Sequence, residues 1–186
     1  MRKLLNAVVS LALALSVAVI TTTPTPGKAA TAAEIDVGAR ATMEKLYLRV
    51  RSGYDLASRA AGILVFPQVV KAGMGIGGEY GEGVLLVRGR PTAYYNTVSA
   101  SIGFQLGAQA RSVVIMFMTQ EALDSFRRKQ GWKVGVDGSV TLVTIGAGGA
   151  IDTNTLNRPV LGFILDAKGL MYNLTLEGSK ISRIER

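Results

Sequence analysis

The chain has 186 residues, with 21 Lys or Arg against 13 Asp or Glu, a formal charge of +8, and neither His nor Cys. Disulfides, Cys/His zinc sites, thiol nucleophiles and His-based acid–base chemistry are all excluded at once. The length fits one domain with a substantial core, and 22 Gly against 5 Pro point to turns and tightly curved strands rather than disorder.

Met1-Arg2-Lys3 followed by an apolar run from Leu4 to Ile20 has the form of a secretory signal. Small residues at Gly27/Ala29 and at Ala30/Ala32 each offer a cleavage site. The expected organisation is a signal peptide over 1–30 and a single domain over 31–186, periplasmic or secreted. A retained anchor is the alternative, since the run is barely long enough to span a bilayer. Loss of Arg2, Lys3 and Lys28 leaves 18 basic against 13 acidic residues. That excess suits an anionic lipid surface or another polyanion, and equally an ordinary solvated surface.

Ala32 to Ala61 reads as helix. Ile35, Ala39, Met43, Leu46, Val50, Tyr54, Ala57 and Ala61 recur at spacings of three and four. Ser52-Gly53 is expected to divide the run into two helices. Arg40, Lys45, Arg49, Arg51 and Arg59 make it basic. An Ala-rich apolar face without Trp or Phe favours packing on a sheet over lying on a membrane.

Gly62 to Pro67 reads as a short buried strand ended by Pro, and Gln68 to Ala72 as a turn. Lys71 to Val84 then carries six glycines, at 73, 75, 77, 78, 81 and 83. Met74, Ile76, Tyr80, Val84 and Leu86 share one parity, and Gly73, Gly75, Gly77, Gly81 and Gly83 the other. Alternate strand residues face opposite ways, so this is a strand or sharply bent hairpin with one nearly bare face. Something must sit against that face.

Arg88-Gly89-Arg90-Pro91 is a turn with two cations, and Thr92 to Val98 the returning strand. Ser101 to Gln109 repeats the alternation of apolar and small residues. Val113 to Met118 lacks alternation, as expected of a strand buried on both faces. It also has the charge-free character of a self-assembling segment, harmless if buried. Thr119 is the expected N-cap of a helix with Leu123 and Phe126 inward and Arg127-Arg-Lys129 in its last turn, stopped by Gly131. Trp132 to Val136, a turn at Asp137-Gly138, Val140 to Ile145, a loop from Asp152 to Arg158, Val160 to Leu165, Leu170 to Leu176 and Lys180 to Ile184 complete the chain. The fold class is α+β, a strongly curved, mostly antiparallel Gly-rich sheet with a few flanking helices.

Gly73 to Gly78 formally matches G-x-G-x-x-G, but a strand follows it rather than a helix, which argues against a dinucleotide site. Neither a P-loop nor a G-x-S-x-G motif occurs. Glu79 and Glu82, three apart on a strand, face opposite ways and make a poor acid–base pair. Asp152-Thr-Asn154 lacks the Gly and distal Glu of a calcium loop. No aromatic platform interleaves with the cations, so nucleic acid is not the expected partner. No cofactor and no metal are expected.

Ala61-Gly-Ile-Leu-Val-Phe-Pro67, the stretch Lys71 to Leu85, Gly103-Phe-Gln-Leu-Gly-Ala-Gln109 and Gly169 to Ser179, taken together and in order, resemble the SYLF family. That family includes eukaryotic actin-patch proteins and exported bacterial proteins. The resemblance implies a non-enzymatic module that binds phosphoinositides or other anionic lipids. Actin, bound by eukaryotic members, is not the expected partner of an exported protein. Where the family commonly has an acidic residue, this chain has Arg111-Ser112. The expectation is a lipid-binding domain, peripheral on a membrane, whose head-group contacts are Lys71, Arg88, Arg90 and Lys168 beside the glycine-rich strands. The alternative is a structural module with a protein partner in the envelope and no lipid.

Overall fold

The computed structural model describes residues 29–103, 109–143, 151, 153–165 and 175–186, excluding the side chains at 72–76, 101–103, 109 and 153. Helix α1 spans Ala32–Arg49 and α2 spans Gly53–Arg59, so the break falls at Ser52-Gly53 as the sequence indicates. Thr31 caps α1: its hydroxyl accepts from the Glu34 N–H, and the Glu34 carboxylate accepts from the Thr31 N–H at 2.7 Å. This reciprocal box satisfies two donors that a helix start leaves open. Ile35, Ala39, Met43 and Leu46 are buried along α1. In α2 the inward residue is Leu56, while Tyr54 is 71% exposed. The break resets the helical phase, so a period carried across it selects the wrong side chain.

Seven strands are described: β1 Gly62–Val87, β2 Arg90–Gly103, β3 Gln109–Phe117, β4 Gly131–Lys133, β5 Thr141–Leu142, β6 Val160–Leu165 and β7 Lys180–Ile184. They form one sheet in the order β4-β7-β2-β1-β3-β6-β5. All pairings between these strands are antiparallel except β5 with β6. Helix α3, Gln120–Arg128, follows β3, and a short α4, Thr153–Leu156, precedes β6. The fold is α+β with a strongly curled, half-barrel sheet.

The curl is measurable. Trp132 of β4 and Phe117 of β3 are four strands apart in the sheet order, which on a flat sheet means about 19 Å at ~4.8 Å per strand. Their ring centroids are 6.4 Å apart, and Phe126 of α3 lies between them at 5.5 Å from Trp132 and 4.8 Å from Phe117. The inner face of the curl holds Leu64, Phe66, Leu85, Tyr95, Ile115 and Trp132, closed by Leu123 and Phe126 from α3. The outer face holds Ile63, Val65, Val84, Val114, Met116 and Phe163, covered by α1 and α2. Both faces are buried, which is why β3 and β6 read as unbroken apolar runs.

Strand β1 departs from expectation. No turn separates Pro67 from the glycine stretch, because the strand runs on through it. Its first half pairs with β3 and its second with β2. The β3 register slips between Phe66 and Val69. Pro67, which has no N–H to donate, lies in that bulge. A Cβ built on Gly81 would stand 2.7 Å from the Gln68 carbonyl oxygen, and one on Gly83 would collide with the Val65 carbonyl oxygen and the Phe66 ring. The two arms of β1 are thus folded over each other about the glycine stretch, and the bare face is covered by the strand's own first arm.

The β1–β2 hairpin closes through Arg88 and Gly89, both at positive φ (51° and 73°), the two-residue turn that suits strand twist. Thr119 caps α3 by accepting from the Ala122 N–H. Gly131 does not stop that helix but opens β4. The turn after β4 covers Gly135, Val136 and Asp137, so it begins two residues before the expected Asp137-Gly138, and Gly135 carries the positive φ. The expected strand over 170–176 and the turn over 166–169 lie mostly outside the described residues, as do 146–149 and Asp152.

Candidate functional site

The bulge in β1 lifts Pro67 and Gln68 out of the β1–β3 ladder, and Ser112 of β3 donates to the Pro67 carbonyl at 2.7 Å. Above them α1 comes in close: a Cβ on Gly38 would stand 2.8 Å from the Pro67 Cβ. Tyr94 of β2 ties the helix down further, its hydroxyl donating to Asp36 at 3.2 Å. Burial, and then the Asp36 carboxylate, push the Tyr94 phenol above its ordinary pKa.

Between α1, the two arms of β1 and the start of β3 lies an open groove of about 1130 Å³. Ala30, Ile35, Ala41, Pro67, Val70 and Leu165 supply apolar wall, and Glu34, Lys45, Glu82 and Arg111 the charges. Ligand pockets are commonly about 300–1,000 Å³, so the space suffices for an elongated small molecule.

Two carboxylates are fixed nearby, on opposite sides as the spacing predicts. Glu79 faces a small inner cavity of about 10 Å³ and accepts from Arg111 at 2.5 Å. Both side chains are largely buried. Arg111 borders cavity and groove alike, and its buried Nε has no hydrogen-bond partner among the described residues. Glu82 faces the groove. It accepts from the Tyr80 hydroxyl at 2.7 Å and the Ala30 N–H at 3.0 Å, and pairs with Arg186. Burial, and then the hydrogen bond to Glu82, raise the Tyr80 phenol.

Of the cations singled out from the sequence, Lys71, Arg88 and Arg90 line neither the groove nor the inner cavity. Lys71 follows Val70 of the groove wall and pairs in register with Gln109. Arg88 and Arg90 sit at the hairpin end of β1, Arg88 about 20 Å along the strand from Glu82 at roughly 3.3 Å per residue. Lys168 lies outside the described residues. Of the glycines, Gly81 borders the groove and, with Gly83, meets the first arm of β1; Gly78 has open space beyond Ser99. Gly73, Gly75 and Gly77 lie in β1, Gly75 opposite Gly103 and Gly77 opposite Ser101 of β2. Sequence reasoning left Arg111 out of the head-group contacts and gave it no partner, whereas the structure pairs it with Glu79. A cation in an apolar strand is the signal that flags a buried partner. Among the described residues no three His, Cys, Asp or Glu gather to hold a metal, and no helix is long and apolar enough to cross a membrane.

Fold and groove together define an α+β domain with one curled sheet and a helix-roofed cleft. Residues 98–185 match the family model Ysc84, described as Las17-binding protein actin regulator, which bears out the SYLF resemblance. The glycine stretch precedes the matched segment, yet β1 pairs with both β2 and β3 and so belongs to the same sheet. No curated protein matches the chain.

Proposed function

We propose that this protein is an exported, non-enzymatic domain that binds anionic lipid, placing an apolar chain in the groove between α1 and the folded β1. The observation that carries this reading is the groove itself. Its walls are largely aliphatic, and Arg111 brings a guanidinium with one buried donor not engaged by the described protein. An apolar cleft with few polar groups is the usual form of a small-molecule site. Lys71, next in sequence to Val70 of the groove wall, is the head-group contact of first choice. Arg88 and Arg90, at the far end of the strand, act as a separate electrostatic contact with a charged surface, and Lys168 remains a further head-group candidate. The matched family's description names a protein partner and actin regulation. An exported domain would meet lipid or an envelope protein instead.

One observation favours a rival reading. Gly81 and Gly83 are covered by the protein's own strand, so they serve curvature and do not by themselves imply a ligand. The test is co-sedimentation of the mature protein with anionic and zwitterionic liposomes across a salt series, with Ala41→Trp to fill the groove. Salt-sensitive binding to anionic liposomes, reduced by Ala41→Trp, is the expected result. Binding lost on Arg88→Ala/Arg90→Ala but indifferent to Ala41→Trp would move the site to the hairpin. No binding to either liposome would leave the envelope-module reading.

A further inference from the structure

We propose that the leader is removed between Ala29 and Ala30, and that the new α-ammonium of Ala30 forms an ion pair with Glu82. The inference rests on the export reading above. The sequence offers two cleavage sites, after Ala29 and after Ala32. The structure separates them. Hydrolysis after Ala32 would remove Thr31, whose side chain and backbone form both halves of the box that caps α1. It would also remove Ala30, whose N–H donates to Glu82 Oε2 at 3.0 Å. Hydrolysis after Ala29 keeps the whole cap and leaves the Ala30 nitrogen where it stands.

The chemistry of that nitrogen then changes. A leader peptidase that cuts after small side chains adds water across the Ala29–Ala30 peptide bond. Ala29 departs with the leader as a carboxylate, and Ala30 gains an amine that is mostly protonated near neutral pH. One neutral amide donor becomes a cation with three. Charge-assisted hydrogen bonds are shorter and about twice as strong as neutral ones. The acceptor is well prepared. The Glu82 side chain is 8% exposed, and its other oxygen is held by Tyr80 and Arg186. Glu82 would thus fasten the start of the mature chain to Arg186, two residues past β7. Ala29 itself lines the groove, so its removal also opens that end of the cleft.

The test is export of the full chain from a bacterial host, followed by N-terminal sequencing and intact mass of the product. A mature chain beginning at Ala30 is expected. A start at Ala33 or elsewhere overturns this inference but leaves export standing. A chain that keeps its leader overturns both. The ion pair has its own readout. Selective acetylation of the α-amine should lower the melting temperature by about 2–4 °C. The same treatment of Glu82→Gln should change nothing. Absence of a shift in the unsubstituted protein, or an equal shift in both, overturns the pair without touching the cleavage site.

Discussion

Gly83 packs against the carbonyl oxygen of Val65, in the opposite arm of the same strand. This contact explains why a 26-residue strand turns back on itself and why glycine is required there. A methyl group at Gly83 or Gly81 would strike backbone, which cannot move aside as a flexible side chain can. Gly83→Ala and Gly81→Ala are each expected to cost about 2–3 kcal/mol. Gly78→Ala, whose nearest neighbour would be the Ser99 carbonyl oxygen at 3.7 Å, should lie within about 0.5 kcal/mol of the parent. Urea unfolding of the three variants checks this, and a neutral Gly83→Ala would refute the folded strand.

Arg111 and Glu79 form a largely buried pair, with Ser99 also donating to Glu79 at 3.3 Å. Removing one partner strands the other charge. Arg111→Met is expected to destabilise by about 3 kcal/mol, and Arg111→Met with Glu79→Leu to recover most of that loss. A double-mutant cycle by denaturant unfolding measures the coupling. Additive effects would mean that the pair is not formed.

Asp137 accepts from the Lys133 N–H at 2.8 Å and pairs with Lys129 at 3.2 Å. The backbone bond first, and Lys129 next, hold its carboxyl below the ordinary carboxylate value. A depressed pKa gives stability that is present above about pH 4 and lost as pH falls through the folded value. Asp137→Asn should therefore melt below the parent at pH 7, with the gap closing as pH falls through the folded value. A gap that persists unchanged at low pH would show that charge plays no part.

Tyr47, Tyr80, Tyr94 and Tyr95 all have phenols raised above their ordinary pKa, burial being the largest cause in each. A raised pKa contributes stability that is complete below about pH 10 and lost as pH climbs through the folded values. Phenolate absorbance should lag that of the unfolded chain, and unfolding free energy should fall as pH rises above about 10. Superimposable titrations of folded and unfolded protein would contradict this.

Much of the fold was legible because its signals are local. The break at Ser52-Gly53, the Thr119 cap and the unalternating run at Val113 each follow from one side chain's nearest neighbours. The errors share the opposite character. Extending a period through a break points Tyr54 inward, where the structure exposes it, and Pro67 has the look of a strand end although a bulge lets the strand continue past it.

By itself the sequence determined the α+β class, the absence of thiol and imidazole chemistry, the bare parity of the glycine strand and the opposed faces of Glu79 and Glu82. All of these depend on composition or on a period of two or 3.6 residues. Only the tertiary structure decided what covers the glycines, that Arg111 finds Glu79, and that Ala30 and Arg186 meet at Glu82. Those partners lie far apart along the chain, and only the curl of the sheet brings them together.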